Sequence, residues 1–159
     1  MFIGFFQQIS FSQLTDRATN PKMLGELVFK SFQQENYETF LKYLFSEADC
    51  DRMSRNSNAS DNLKVEIVKQ MKSLTNYTRQ TSKENFEKIL SVGKDKKLEW
   101  KNVKLTDVKF DTKNQSNIQS SDIFLFCQHK EKIFLIKLDN CHKSDAWLMM
   151  DEAEIQFEE

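Results

Sequence analysis

FLFCQHKEKIFLIKLDNCH, residues 124 to 142, holds two of the three cysteines and both histidines of a 159-residue chain. Either these groups converge on a metal or catalytic centre, or they decorate two strands. The apolar runs on each side of Lys130 and Glu131 predict strands over 123–129 and 132–139, joined as a hairpin. In that register His129 lies opposite Lys132 and Cys127 opposite Phe134, while Cys141 and His142 fall beyond the far end of the second strand. At about 3.3 Å per residue, the strand between the hairpin tip and Asp139 covers roughly 23 Å. A single zinc ion needs its ligands at about 2.0 to 2.3 Å. Cys127 and His129 therefore cannot share an ion with Cys141 and His142, and the stretch reads as two strands. A Cys127–His129 nucleophilic pair is sterically conceivable, since i and i+2 project from one strand face. The plainer reading is a core cysteine beside a histidine at a turn.

Working outward, a third strand follows over 146–157, interrupted at the DEAE of residues 151–154. Upstream, Trp100 leads into VKLTDVKFD, where Val103 and Leu105 share one phase and Val108 and Phe110 the other. A bulge near Thr106 and Asp107 would turn all four toward one core and bend the strand. DTKNQSNIQSSD, residues 111–122, reads as a turn-rich connection, which makes the sheet four-stranded.

Before residue 94 the apolar period is helical. Leu24, Leu27, Val28 and Phe32 form one stripe behind Asn20 and Pro21; Tyr37, Phe40, Leu41, Leu44 and Phe45 form another. From residue 24 to 37 is 13 steps, about 3.6 turns, so one straight helix would point the stripes to nearly opposite sides. A break at residues 33–36 resolves this, with Asn36 as N-cap of the second helix. Ser46 to Asp49 starts a short helix ending near Met53, and the polar run 54–62 reads as a loop. Leu63, Ile67, Met71, Leu74 and Thr78 then share a helical face. Thr81 with Glu84 has a capping-box pattern opening a separate helix through Phe86, Ile89 and Leu90, which Gly93 stops.

Composition excludes several functions. The only glycines are Gly4, Gly25 and Gly93, so a Walker A loop, a GxGxxG turn and a GxSxG elbow are absent in their usual forms. There is no HExxH, and two histidines cannot supply a three-histidine metal site; neither metal nor cofactor is expected. Charge is nearly balanced, at a net −1, and Glu99, Asp107 and Asp111 interrupt the lysines of residues 97–113, so no nucleic-acid partner is expected. Those lysines read as the wet side of a strand guarding an exposed edge. The acidic C-terminus reads as solvated rather than as a catalytic carboxylate pair. Cys50, Cys127 and Cys141 have no CxxC spacing, allow at most one bridge, and read as buried free thiols.

No apolar run approaches the roughly 20 residues needed to cross a bilayer. Aromatics crowd positions 2 to 11. Residues 1–13 read either as the remnant of an export signal lacking its basic start or as a hydrophobic arm on the core; export follows from the first, and a cytoplasmic location otherwise. Residues 14–159 are then one domain. Tyr43, Trp100 and Trp147, together with His129, are the candidates for lining a ligand pocket, although core packing is the plainer reading of the aromatics.

Helices followed by a bent antiparallel meander make an α+β layout, N-terminal helices packed on a curved four-stranded sheet. FKSFQQENYETFLKYLFSE, residues 29–47, resembles the opening helix pair of the nuclear transport factor 2-like (cystatin-like) superfamily, and the bulged strand and meander over 103–157 agree with that fold. The helix over 63–78 departs from its simplest members. The resemblance implies a cone with a pocket at its wide end. Some members are isomerases or hydratases with an acid-base Asp or His there; many others are noncatalytic binding domains. No catalytic residue carries over. The expectation is a noncatalytic domain binding a small apolar ligand or a protein partner. Its rivals are an isomerase or hydratase using Asp107, Asp122 or His129, and a homodimer formed through the sheet face.

Overall fold

The computed structural model describes residues 17–158, so the alternatives for residues 1–13 lie outside the described residues. Helix α1 (Pro21–Gln33) begins where the Asn20 side chain accepts the Met23 N–H, with Pro21 in the first turn. It ends at the expected break. Glu35 takes φ 50°, and the Asn36 side chain accepts the Thr39 N–H to open α2 (Tyr37–Leu41).

The second stripe is not helical throughout. After Leu41 the chain turns through Lys42 and Tyr43 and then extends, so that Phe45 N–H donates to the Met149 carbonyl at 2.7 Å and Met149 N–H to the Tyr43 carbonyl at 2.8 Å. Leu44 and Phe45 are thus buried from an extended segment beside the sheet. Helix α3 (Glu47–Asn56) starts at Ser46 in a full capping box with Asp49 and runs past Met53, so the loop shrinks to residues 57–60.

The two helices expected between residues 63 and 93 are one. Helix α4 (Asp61–Asp95) has 35 residues, about 52 Å at 1.5 Å each. No Gly or Pro interrupts residues 61–92. The Thr81 hydroxyl does not cap a helix; it lies 2.7 Å from Glu152 Oε1 and 3.1 Å from the Tyr77 carbonyl, two acceptors for its one proton. Gly93 does not stop the helix either. An added Cβ there would lie 2.6 Å from Trp100 Cζ2, so its role is to seat the indole.

The sheet is antiparallel, curved and unclosed, in the order β1 (Lys104–Gln115), β2 (Ile118–His129), β3 (Lys132–Lys143), with β4 (Trp147–Met149) and β5 (Ala153–Phe157) both on the far edge of β3. β4 and β5 are the expected last strand, broken at residues 150–152. Cys127 pairs with Phe134 and His129 with Lys132, as the hairpin reading requires. The register of β1 on β2 slips between Leu105 and Asp107, which is the expected bulge.

Three strand expectations need correction. Residues 111–122 are mostly strand, folded back by a two-residue turn in which Ser116 and Asn117 take φ 52° and 62°. Both backbones are left-handed, as the tightest hairpins require. Cys141 and His142 lie inside β3, opposite Ser121 and Ser120, rather than beyond its end. Phe110 shares the face of Val108 but is 46% exposed, because β1 runs out past the helix that covers Val108.

One side of the sheet carries the main core: Leu24, Val28 and Phe32 of α1, Phe86 and Ile89 of α4, and Ile123, Leu125, Phe134 and Ile136 of the strands. α1 approaches so closely that a Cβ on Gly25 would sit 2.7 Å from Leu125 Cδ2 and 3.1 Å from Val108 Cγ1. A second cluster joins Phe45, Cys50 and Met53 to Met150 and Leu148. Since Leu148 alternates with Trp147 and Met149 of the main core, this cluster covers the opposite face at the β4 end. The β4–β5 edge is closed by α4. Asn85 donates to the Ala153 carbonyl and accepts its N–H, and the Thr78 hydroxyl donates to the Met150 carbonyl.

Candidate functional site

The interior of the sheet is filled by its own rings. Phe32 stacks on Phe86 with centroids 5.2 Å apart and meets Phe40 and Trp100, while Trp100 stands edge-on to Phe134 at 6.1 Å. Trp100 is further held by its indole N–H on the Leu90 carbonyl at 3.2 Å. The expected pocket residues do not converge. Tyr43 and Trp147 are buried together under a cleft of about 170 Å³ whose rim includes Lys42, Asp49 and Asp145. Trp100 lies under a separate open depression of about 730 Å³, walled by Gln33, Gln34, Lys94 and Glu99. His129 is buried at the end of β2 on the core face, and neither ring nitrogen has a hydrogen-bond partner among the described residues.

Pockets that enclose a drug-sized ligand span about 300 to 1,000 Å³ and are mostly apolar. The cleft over Tyr43 is too small. The depression over Trp100 is large enough, but polar side chains surround it.

The acid-base candidates are likewise dispersed and structurally engaged. Asp107 sits at the exposed bulge, its Oδ1 accepting the Val108 N–H at 2.8 Å. Asp122 accepts the Asn140 N–H at 3.1 Å across a second bulge, where Asn140 takes φ 54°. Cys127 donates to the Leu125 carbonyl rather than to His129, and burial pushes its thiol up to about 12. Burial also raises the Cys50 and Cys141 thiols. A thiolate nucleophile at neutral pH is therefore not available from any of them. Among the described residues no group of three or more His, Cys, Asp or Glu could hold a metal ion, and no helix is long and apolar enough to cross a membrane.

Asp49 is the most embedded acid. Burial alone would raise its carboxyl, but hydrogen bonds from Ser46, Arg52 and Ser144 outweigh that and hold it below the usual range. Those bonds tie α3 to the β3–β4 turn, which makes the group a clamp between elements.

The other face of the central strands is different. Phe124 and Phe126 of β2 and Ile133 and Leu135 of β3 alternate with the core residues and are partly exposed, Ile133 by 47%. Phe126 stands opposite Leu135, and Gln128 opposite Ile133, so these side chains form one strip. Its cover consists of lysine stems: Lys109 Nζ lies 5.0 Å from the Phe126 ring centre and Lys137 Nζ 5.9 Å from that of Phe124. None of the four belongs to either core cluster. Sequence reading missed the strip, although FLF places apolar residues on both faces of one strand, the pattern of a strand that is covered on both sides.

Comparison of the chain with protein-family models, with curated proteins and with solved structures finds no match.

Proposed function

We propose that the chain is a noncatalytic binding domain whose partner is a protein, engaged on the outer sheet face through Phe124, Phe126, Ile133 and Leu135. One observation carries this reading: the core face is packed shut by aromatic rings, while among the described residues an apolar strip on the opposite face is roofed by lysine side chains. Lys109 can swing aside, and Lys137, held by Asp139 at 2.7 Å, can rim a contact in which the two Phe rings are buried. The layout supports kinship with the nuclear transport factor 2-like superfamily as part of this proposal, through helices that precede a bulged meander. The unbroken α4 and the tight Ser116–Asn117 turn are departures from its simplest form. The aromatic start of the sequence supports export as the setting.

A photo-crosslinking amino acid at Gln128, beside the strip, tests the reading in extracts of the source cell and its medium. We expect a discrete protein adduct that disappears in Phe126→Lys and is absent when the crosslinker stands at Val65 of α4. An unchanged adduct in Phe126→Lys, or its recovery from the α4 position, would exclude the strip. Native mass spectrometry of the purified full chain should show the bare mass; a stoichiometric small-molecule adduct would return the function to ligand binding.

A further inference from the structure

Among the described residues β1 ends the sheet, and its residues 109–115 are all exposed. Gln115 and Ile118 close the two-residue hairpin as a hydrogen-bonded pair, so the odd-numbered residues of β1 turn their N–H and C=O groups toward β2. Val108, Phe110 and Thr112 consequently point theirs at the outer edge. The Val108 N–H supports this direction, since it is taken by the carboxylate of its own neighbour Asp107 at 2.8 Å.

Edge strands are usually guarded by charged side chains, lysine above all, or by proline, bulges and covering elements. On this edge the charges are of both signs. Along the outer face run Asp107, Lys109, Asp111 and Lys113, alternating in sign at every second residue. Antiparallel pairing of β1 with another β1 about a two-fold axis at Phe110 matches residues whose numbers sum to 220. Asp107 then meets Lys113, Lys109 meets Asp111, and Val108 meets Thr112, with the Val108 carbonyl open to the Thr112 N–H while the Val108 N–H stays with Asp107. The 46%-exposed Phe110 meets its own copy on the axis, among hydrogen-bonded pairs. A shift of the axis by one residue in either direction sets like charges opposite one another: at Lys109, Lys109 faces itself and Asp107 faces Asp111.

We infer that the protein forms a two-fold dimer by pairing β1 edges antiparallel in this register, joining two sheets into one. The occupant of the edge is a second copy because the edge is complementary to itself in charge and places its exposed ring on the symmetry axis. The paired segment is short and the interface small, so the dimer is weak, with a dissociation constant in the micromolar range or above. The strip on the outer face is not needed for it.

Sedimentation equilibrium of the full chain up to roughly 500 µM, well above such a constant, tests the inference. The wild type should be a concentration-dependent dimer. Lys109→Asp sets Asp against Asp111 twice across the axis and should weaken dimerisation about tenfold, whereas Lys109→Asp/Asp111→Lys restores the pairing and should return the wild-type constant. Amide exchange at Phe110 and Thr112 should slow as concentration rises. A monomer over the whole range overturns the inference, as does a dimer indifferent to Lys109→Asp or one that the double exchange fails to rescue. Slow exchange at those amides in a monomer would show that the chain's own N-terminal segment occupies the edge, and would overturn it as well. Circular dichroism of both variants separates loss of association from loss of folding.

Discussion

Gly25 and Gly93 sit in helices, where alanine is intrinsically better by about 1 kcal/mol. Each nevertheless faces a core side chain at a distance that a methyl group cannot share. At Gly25 the nearest obstacle is the end of Leu125, which can rotate; at Gly93 it is the rigid indole of Trp100, pinned by its bond to Leu90. Overpacking costs typically about 1 to 3 kcal/mol. We therefore expect Gly93→Ala to destabilise by about 2 kcal/mol in urea unfolding and Gly25→Ala by less, about 1 kcal/mol; the reverse order would mean that the indole, not the leucine, gives way. His142 provides a second check. Burial lowers its pKa to about 4, against a weaker opposing pull from Asp122. The unfolded chain takes up this proton near pH 6.5 and the folded chain only near 4, so stability falls as pH drops through that window and is full above it. The loss should reach about 3 kcal/mol, and His142→Phe, which keeps a ring beside Phe45, should flatten that part of the pH profile.

At the level of elements, the legible features were those written in apolar phase. The Thr106 bulge was visible because Val103–Leu105 and Val108–Phe110 are out of step, and the α1–α2 break because two stripes point apart. Local caps at Asn36 and Ser46 were legible as well, whereas elements defined by polar partners distant in the chain were not. Thr81 and Glu84 spell a helix start, yet α4 continues because Thr78 and Thr81 find acceptors at Met150 and Glu152, contacts set only when the chain returns some 70 residues later. The Ser116–Asn117 turn was hidden because the strands flanking it extend past the core and carry polar residues on both faces. Asn85 belongs to this class, replacing a missing strand neighbour for Ala153. Asn85→Ala removes both bonds and leaves the edge of β5 against an apolar wall, at a cost of about 2 to 3 kcal/mol. Hydrogen exchange should show protection falling first at β5, with β2 and β3 little changed; uniform loss would mean that α4 and the sheet open only as one unit.

For the molecule as a whole, large aromatic residues are ambiguous in sequence, since the same side chains can line a pocket or fill a core. Trp100, Trp147 and Tyr43 are buried where helices meet the sheet, and nothing in their local sequence distinguishes that role from lining a cavity. Phe124 and Phe126 carried the better signal, since their neighbours Leu125 and Cys127 already occupy the core side of the same strand. This division predicts opposite responses on the two faces of β2. Leu125→Ala removes a fully buried side chain under α1 and should cost about 3 kcal/mol, with partner adducts reduced only as far as the folded fraction falls. Phe124→Ser/Phe126→Ser removes two partly buried rings and should cost about 2 kcal/mol while abolishing the adduct from position 128 even where the chain stays folded. Equal destabilisation by the two variants, with adducts tracking stability in both, would mean that the outer strip is structural and that the binding face lies elsewhere. Retention of the adduct by a folded double serine variant would lead to the same conclusion through affinity alone.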